Sequence, residues 1–211
     1  MVPDLISMWT GAILAGGRAR RLGGLNKARL ILHPGSASVL DRQLARLRRV
    51  VDRTIIIAND PEPFSGTGVP VIPDMVPDGG ALGALYTAVH AAGTDRTLVI
   101  ACDMPFVSER LLAHLVSVGG PVDIAIPRTA RGYEPLCATY SRRSAKELRR
   151  LIDERRFRLS DVARIPGLNV HEVGRDELNA FGPEEVLFFN LNTPDDHTRA
   201  IDLDGEYHYP S

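Results

Sequence analysis

A glycine-rich loop with four cationic side chains follows the first apolar segment of the chain. The segment Trp9–Leu14 runs directly into the sequence AGGRARRLGGLNK, which ends at Lys27. Glycines allow backbone N–H groups to approach a phosphate closely, and arginine and lysine supply positive charge where phosphate oxygens would lie. The loop is neither a Walker loop, which requires GxxxxGK followed by Ser or Thr, nor a GxGxxG dinucleotide motif. It predicts either a phosphate site of another kind or a turn with solvated arginines.

A carboxylate follows one of the continuous apolar segments. Asp103 comes directly after Thr97–Cys102 (TLVIAC), which is typical of a buried strand. A carboxylate at the carboxyl end of a central strand faces the ligand crevice of an open α/β sheet. Mg²⁺ is commonly held by one or two carboxylates together with substrate phosphates, so Asp103 is a candidate metal ligand. The alternative is that Asp103 caps the next turn, which Pro105 shapes.

Two further polar residues follow shorter predicted strands. Asn59 comes after Thr54–Ala58 (TIIIA), and Asp74 comes after Val69–Ile72 and before a glycine-rich segment. A carboxylate can accept two hydrogen bonds, which suits the N1–H and 2-amino donors of guanine. Asp74 could equally support the loop or a metal ion. Asp78 is predicted to be a turn residue.

The second half of the chain holds three more candidates. Glu134 precedes a predicted strand at Leu136–Tyr140 and is either a turn residue or part of a ligand pocket. Asn190 and Asn192 follow Val186–Phe189, so they are expected at a strand end, where amides can order phosphate or metal-bound water. Thr193 and Pro194 are expected to cap and begin the final helix.

Apolar strands alternate with amphipathic helices along the chain. Helical spacing of apolar residues is found at 40–51, 82–89, 111–115 (with Ser108 as cap) and 145–152, and a further strand is expected at Asp123–Ile126. Strands that are apolar on both faces indicate an α/β protein with a mostly parallel sheet covered by helices on both sides. We expect a single domain over 1–211, with its core at about 9–203. The segment 128–134 is expected to be a mobile loop.

Composition excludes several classes of protein. The 211 residues include 25 basic and 26 acidic side chains, so the formal charge of −1 gives no reason to expect nucleic acid or an anionic membrane as partner. Cys102 and Cys137 are expected to be buried thiols, and neither a signal peptide nor an apolar run long enough to span a bilayer is found. A cytoplasmic protein is predicted. The six histidines have no ligand spacing, and the arginines at 155, 156 and 158 either face a polyanion or form a solvated helix end.

Four motifs, in order, resemble those of one family. LAGGRARRLGGLNK is similar to the signature loop of the molybdenum cofactor guanylyltransferases, within the nucleotidyltransferase superfamily. GGALG at 79–83 resembles their GPLxG turn, DMPF at 103–106 their DxPF, and NLNTPDD at 190–196 their NxNTPxD. The resemblance extends from about Thr10 to His197.

The resemblance implies a Rossmann-like three-layer α/β/α nucleotidyltransferase fold and transfer of GMP from GTP to molybdenum-bound molybdopterin, with Mg²⁺ as cofactor and pyrophosphate as by-product. It implies that Leu14, Ala15, Gly16 and Gly17 hold the nucleotide and that Arg21 and Lys27 contact its phosphates. Asn59 and Asp74 would then belong to the nucleotide site, and Asp103 would bind the metal. Glu134, Asn190 and Asn192 would lie on the acceptor side, where the amides could bind a pterin edge. Transient contact with other molybdenum cofactor proteins is also expected.

The sequence departs from the family at a few positions. Leu22 stands where the family often has Met, Ala81 replaces a proline, and Ile57 replaces a second asparagine found in some members. Two alternatives therefore stay open: a cytidylyltransferase or other nucleotidyltransferase with a different phosphorylated acceptor, and a non-catalytic nucleotide-binding module. LAGG rather than LAAG, with DxPF, favours the guanylyl branch. The presence of both Asp103 and Lys27 argues against a dead enzyme.

Overall fold

Ten strands and seven α-helices are found in the part of the chain that the structure describes. The computed structural model describes residues 8–16 and 29–206, and the backbone of 21–22 and 25–26. The strands are β1 (Trp9–Leu14), β2 (Arg21–Leu22), β3 (Leu25–Asn26), β4 (Arg53–Ile57), β5 (Val71–Ile72), β6 (Arg96–Ala101), β7 (Ile124–Thr129), β8 (Gly132–Tyr133), β9 (Cys137–Ser141) and β10 (Val170–Val173). The helices are α1 (Val39–Val50), α2 (Gly80–Ala91), α3 (Glu109–Gly119), α4 (Ser144–Asp153), α5 (Arg175–Leu178), α6 (Glu184–Leu187) and α7 (Pro194–Glu206).

The main sheet has the strand order β10-β7-β9-β6-β1-β4-β5, with β8 alongside β7. Strands β5, β4, β1 and β6 are parallel, whereas β9 runs antiparallel to both β6 and β7. Leu14 at the end of β1 lies opposite Ile57 on one side and Ala101 on the other. The carboxyl ends of three strands therefore meet at one edge, as predicted, although the sheet is mixed and only approximately parallel.

The two faces of the sheet are covered by different helices, which gives the three-layer α/β/α architecture. One face packs Ile13 and Leu98 against the apolar sides of α1 and α3. The opposite face packs Ala12 and Val99 against α2 and α4. Successive residues of a strand point to opposite faces, so both neighbours are buried only when helices lie on both sides. The continuous apolar strands of the sequence have this cause.

The predicted caps of two helices are confirmed. The Ser108 hydroxyl accepts a hydrogen bond from Leu111 N at 3.2 Å at the start of α3. At the start of α7, Thr193 Oγ1 accepts from Asp196 N at 3.2 Å, with Pro194 as the first helical residue. Each bond satisfies a backbone donor that the helix itself leaves unpaired.

Two sequence-based predictions are wrong in the second half of the chain. The segment Val186–Phe189 was expected to be a strand, but α6 occupies Glu184–Leu187. A short apolar run does not distinguish a strand from a buried helical turn, whereas Pro183 before it and two glutamates in its first turn favour a helix. The expected mobile loop at 128–134 is a hairpin between β7 and β8.

The thiols and the helices agree with a folded α/β protein. Cys137 is buried in β9, and Cys102 is half-buried directly after β6; neither cysteine is in a disulfide. Burial raises the pKa of the Cys137 thiol, which keeps it protonated and unreactive. Within the described ranges, no helix combines the length and apolar character needed to cross a bilayer.

Candidate active site

Asp103 lies in a tight turn at the carboxyl end of β6, and hydrogen bonds hold this turn from several directions. Ala101 O accepts from Met104 N at 3.3 Å, which closes the turn. Cys102 N donates to Leu14 O at 3.0 Å, and Leu191 N donates to Asp103 O at 2.9 Å. The turn that carries the predicted metal ligand is therefore joined directly to the end of β1 and to the Asn190–Asn192 segment.

Two side chains of α1 form hydrogen bonds to backbone carbonyls of the segment 101–107, which contains the Asp103 turn. Gln43 Nε2 donates to Ala101 O at 2.8 Å and to Met104 O at 3.0 Å, and Gln43 is only 1% exposed. Arg46 Nη1 donates to Pro105 O at 2.8 Å and to Val107 O at 3.0 Å. Neither residue was predicted from the sequence. One signal was available for Gln43, because it interrupts the apolar face of α1 beside Leu44 with a polar side chain.

The glycine-rich loop begins at the same edge of the sheet. Leu14 and Ala15 are buried, Gly16 is exposed, and Ala15 N donates to Ile57 O at 2.9 Å, which anchors the chain as it leaves β1. The backbone of Arg21 pairs with Asn26 in the β2–β3 hairpin. Gly17 and Lys27 lie outside the described residues, as does the side chain of Arg21, so their predicted phosphate contacts stay predictions.

Asn59 and Asp74 are brought together beyond the ends of β4 and β5. Asn59 Oδ1 accepts from Asp74 N at 2.7 Å. Asp74 Oδ1 accepts from Val76 N at 3.0 Å and lies 2.9 Å from the Thr87 hydroxyl, which also accepts from Met75 N at 3.0 Å. One oxygen of Asp74 therefore supports the loop, which was one of the roles left open by the sequence. Thr87, fully buried in α2, is a supporting residue that the sequence analysis missed.

The glycine-rich turn at the start of α2 packs closely against this loop. A Cβ on Gly79 would lie 2.8 Å from Val76 Cγ1 and 2.9 Å from Gly83 Cα, so a larger residue would displace the turn. Asp78 and Gly80 have φ values of 60° and 59°, in the left-handed region that a turn uses. The turn prediction for Asp78 is confirmed.

Asn190 and Asn192 lie on the other side of Asp103, and they follow α6 rather than a strand. Asn190 Nδ2 donates to Phe188 O at 3.1 Å, and Asn192 N donates to the Asp196 carboxylate at 2.9 Å. Both residues line a cleft of about 490 Å³. The other residues of this cleft, which we call the Asn190 cleft, are Arg131, Glu184, Glu185, Phe189, Asp196 and Arg199.

Glu134 lies at the base of the β7–β8 hairpin, beside the Asn190 cleft. Its side chain is 15% exposed, accepts from Thr129 Oγ1 at 3.3 Å and lies 4.0 Å from Arg131 Nη2. Burial raises the pKa of Glu134, and the nearby carboxylate of Glu184 acts in the same direction, while Arg131 and Thr129 oppose them. Arg131 also donates to Phe188 O at 3.1 Å. Glu134 is therefore connected to the cleft through Arg131.

Asp103 is the carboxylate of this edge that could hold a metal ion together with a substrate. Among residues 8–16 and 29–206, no cluster of three or more histidine, cysteine, aspartate or glutamate side chains could hold a metal ion by itself. A single carboxylate such as Asp103 suits Mg²⁺, which keeps waters and takes substrate phosphate oxygens as further ligands.

The arginines at 155, 156 and 158 are exposed, and Arg156 lies 3.2 Å from Asp161, which agrees with a solvated helix end.

The comparisons with known proteins give the class and then the family. The crystal structure of molybdopterin-guanine dinucleotide biosynthesis protein A from Archaeoglobus fulgidus matches with a TM-score of 0.74 and 28% identity, over 94% of this chain and 100% of the other. The profile of the MobA-like NTP transferase domain matches residues 11–165. The fold and this match together define a nucleotidyltransferase.

Relatives of similar length agree with this class. The chain is 32% identical over 191 residues to a probable molybdenum cofactor guanylyltransferase of Pelotomaculum thermopropionicum, covering 90% of this chain and 91% of the relative. It is 31% identical over 192 residues to a molybdenum cofactor guanylyltransferase of Desulfosudis oleivorans, covering 90% and 93%. The chain belongs to the MobA-like NTP transferase family.

Proposed function

We propose that this chain transfers GMP from GTP to molybdenum-bound molybdopterin and releases pyrophosphate. The observation that carries the proposal is the position of Asp103 between two regions. Its turn is hydrogen-bonded to Leu14, where the glycine-rich loop begins, and to Leu191, between the two asparagines of the Asn190 cleft. The names of the relatives, which cover nine-tenths of this chain, support guanylyl transfer to this acceptor.

The reaction requires positioning and charge neutralisation rather than a protein nucleophile. A terminal phosphate oxygen of the acceptor forms a bond to the α-phosphorus of GTP, and the bond from that phosphorus to the oxygen bridging to the β-phosphate breaks. Pyrophosphate leaves with the electron pair. Phosphoryl-transfer sites of this kind work mainly by alignment and electrostatic stabilisation. In this proposal Arg21 and Lys27 neutralise the triphosphate from the glycine-rich loop.

Mg²⁺ is the proposed cofactor, and Asp103 is the residue that would hold it. A bound Mg²⁺ would supply positive charge to the phosphate oxygens and fix their orientation. The hydrogen-bonded turn keeps the Asp103 backbone at the edge where the nucleotide loop starts, and Asn190 and Asn192 would order water or phosphate beside it.

Asp74 is proposed to recognise guanine. Its Oδ1 supports the loop through Val76 N and Thr87, while Oδ2 has no hydrogen-bond partner among the described residues. A carboxylate oxygen accepts the N1–H or 2-amino donor of guanine, whereas cytosine offers a different arrangement of donors and acceptors. Asn59 holds the backbone of Asp74 in place.

The acceptor is proposed to occupy the Asn190 cleft. Amide side chains of Asn190 and Asn192 can bind both donors and acceptors along a pterin edge, and Arg131, supported by Glu134, supplies positive charge. The volume of about 490 Å³ falls within the range of ordinary small-molecule sites.

The decisive experiment measures pyrophosphate release from GTP and from CTP, each with Mg²⁺ and with or without purified molybdenum-bound molybdopterin. Release only with GTP and acceptor together is the expected result. Release with CTP would identify the cytidylyl alternative. No release under any condition, with GTP still raising the melting temperature, would indicate a nucleotide-binding module without catalysis, since a ligand that binds only the folded state stabilises it by mass action.

A further inference from the structure

The hydrogen bonding of the Gln43 side chain is not explained by local stability. Its side-chain NH₂ group donates to Ala101 O and Met104 O, the two carbonyls that bracket Cys102 and Asp103. The orientation of the amide is fixed, because carbonyl oxygens accept hydrogen bonds and only the nitrogen can donate to them. The consequence is that Gln43 Oε1 is buried and has no hydrogen-bond partner among the residues described.

A buried acceptor without a partner is destabilising. The Gln43 amide satisfies two backbone carbonyls, but its own oxygen is left without a hydrogen-bond partner among the described residues. The two carbonyls belong to the first and fourth residues of the turn, so one planar group fixes both of its ends. Arg46, one helical turn further along α1, holds Pro105 O and Val107 O in the same way. Helix α1 therefore acts as a support for the whole segment 101–107.

We propose that Gln43 is a positioning residue that sets the orientation of the Asp103 carboxylate and thereby the strength with which a divalent cation tightens GTP binding. Gln43 touches neither ligand and acts only through the turn. Mg²⁺ demands near-octahedral geometry with short bonds to oxygen, so a small displacement of its protein ligand weakens binding. This inference rests on the proposed function, because it requires the metal at Asp103.

The test measures how much Mg²⁺ changes the affinity for GTP. The dissociation constant of GTP is determined by calorimetry in MgCl₂ and again in EDTA, and the ratio of the two values is the coupling factor. Gln43→Met retains the length and apolar volume of the side chain but removes both donors. We expect the coupling factor to fall by about 10- to 100-fold, the usual effect of removing an outer-shell partner. The affinity for GTP in EDTA should not change.

A matched control uses the same helix. Leu47 is fully buried in α1, packs near Gly11, and has an apolar side chain that cannot form hydrogen bonds to the carbonyls of the Asp103 turn. Leu47→Val should lower the melting temperature while the coupling factor stays at the wild-type value. An unchanged coupling factor in Gln43→Met, with a lowered melting temperature, would show that Gln43 is only structural and would overturn the inference.

Asp103→Asn in the same titration separates the inference from the proposed function. If Asp103→Asn loses the coupling but Gln43→Met retains it, the proposed role of Gln43 is contradicted and the metal site at Asp103 is not. Retention of coupling in Asp103→Asn would contradict the metal site itself. If Gln43→Met does not fold, Gln43→Glu replaces it: its carboxyl retains one donor when protonated and none when ionised, so the coupling factor should fall as the pH rises. A pH dependence identical to that of the wild type would then overturn the inference.

Discussion

The Asp103 turn is held by buried, uncharged groups and by one arginine, whereas the Asn190 cleft is surrounded by exposed charge pairs. Four hydrogen bonds to backbone carbonyls come from Gln43 and Arg46, and Gln43 is almost completely buried. Beside the cleft, Arg175 pairs with Glu184 at 3.3 Å with 64% of the arginine side chain exposed. The two regions are joined by the backbone hydrogen bond from Leu191 N to Asp103 O and by the contact between the Phe106 and Phe189 rings, whose centroids lie 6.0 Å apart.

The difference indicates how each region responds to its surroundings. Hydrogen bonds in a buried environment are little affected by salt, while exposed ion pairs are screened and contribute little to stability. We therefore expect the hydrogen bonds of the Asp103 turn to be little affected by salt, and the ion pairs beside the Asn190 cleft to rearrange at smaller cost.

The largest effect is expected from removing the Asp103 carboxylate. Asp103→Asn should lower kcat for pyrophosphate release by at least about 100-fold, because the proposed Mg²⁺, and with it the positive charge that would stabilise the phosphates in the transition state, is lost with the carboxylate. The fold should be retained, since the backbone hydrogen bonds that join this turn to Leu14 and Leu191 stay in the variant. Asp153→Asn, in an exposed pair with Arg149, is the control and should retain activity. Near-normal turnover of Asp103→Asn with Mg²⁺ would remove Asp103 from the chemistry.

Two glycine substitutions test whether the loop that carries Asp74 is packed more tightly than the region near the Asn190 cleft. Gly79→Ala should lower the free energy of unfolding by about 1–3 kcal/mol, because its Cβ would meet Val76 and the backbone of Gly83 at under 3 Å. Gly174→Ala, near the acceptor side, has no atom within 4 Å of the added Cβ and should change stability by less than about 0.5 kcal/mol. Urea unfolding measures both. Equal losses would contradict the proposed difference in packing.

A smaller effect is expected from the support of Asp74. Thr87→Val removes the hydroxyl that contacts Asp74 and accepts from Met75 N, and it should weaken GTP binding about 3- to 10-fold, the usual value of one hydrogen bond. Thr97→Val is a matched control, because the buried Thr97 hydroxyl has no hydrogen-bond partner in the described part of the chain. Calorimetry with GTP compares them. The same loss in both variants would mean that the contact to Asp74 is irrelevant to nucleotide affinity.

The smallest effect concerns pH on the acceptor side. Burial raises the pKa of Glu134, so its ionised form destabilises the folded state; the stability it contributes is present at low pH and is lost as the pH rises through the folded-state pKa. Glu134→Gln, which stays neutral, should therefore be more stable than the wild type at pH 8. The difference in melting temperature should vanish near pH 4, below the unfolded-state pKa of about 4.3. A difference that grows on acidification would show that the sign is wrong.

The sequence predicted the elements that are regular and apolar. Strands β1, β4, β6, β7 and β9 were placed within about one residue at their starts, because both of their faces are buried and the residues are correspondingly apolar. β10 was missed, since it lies at the sheet edge and only its last residue is fully buried. Helix α6 was missed because four residues are too few to show a helical period.

The candidate site was predicted in part for a similar reason. Asp103, Asn59 and Asp74 follow strands directly, so the topology alone brings them to one edge. Gln43 and Thr87 come from helices, and which turn of a helix faces which loop depends on packing that no local pattern specifies. The predictions that the chain is one domain, that it binds neither nucleic acid nor membrane, and that it contacts other cofactor proteins stay predictions.

Strand β9 fixes the order in which the sheet can be completed. It lies between β6 and β7 and pairs with both, although it comes after both in the chain. Until Cys137–Ser141 has left the ribosome, β6 has an open apolar edge, and β7 has no strand through which to join the N-terminal half. The nascent chain therefore has unpaired strand edges until about two-thirds of it has been synthesised. Unpaired edges of this kind are sites of misassociation between growing chains.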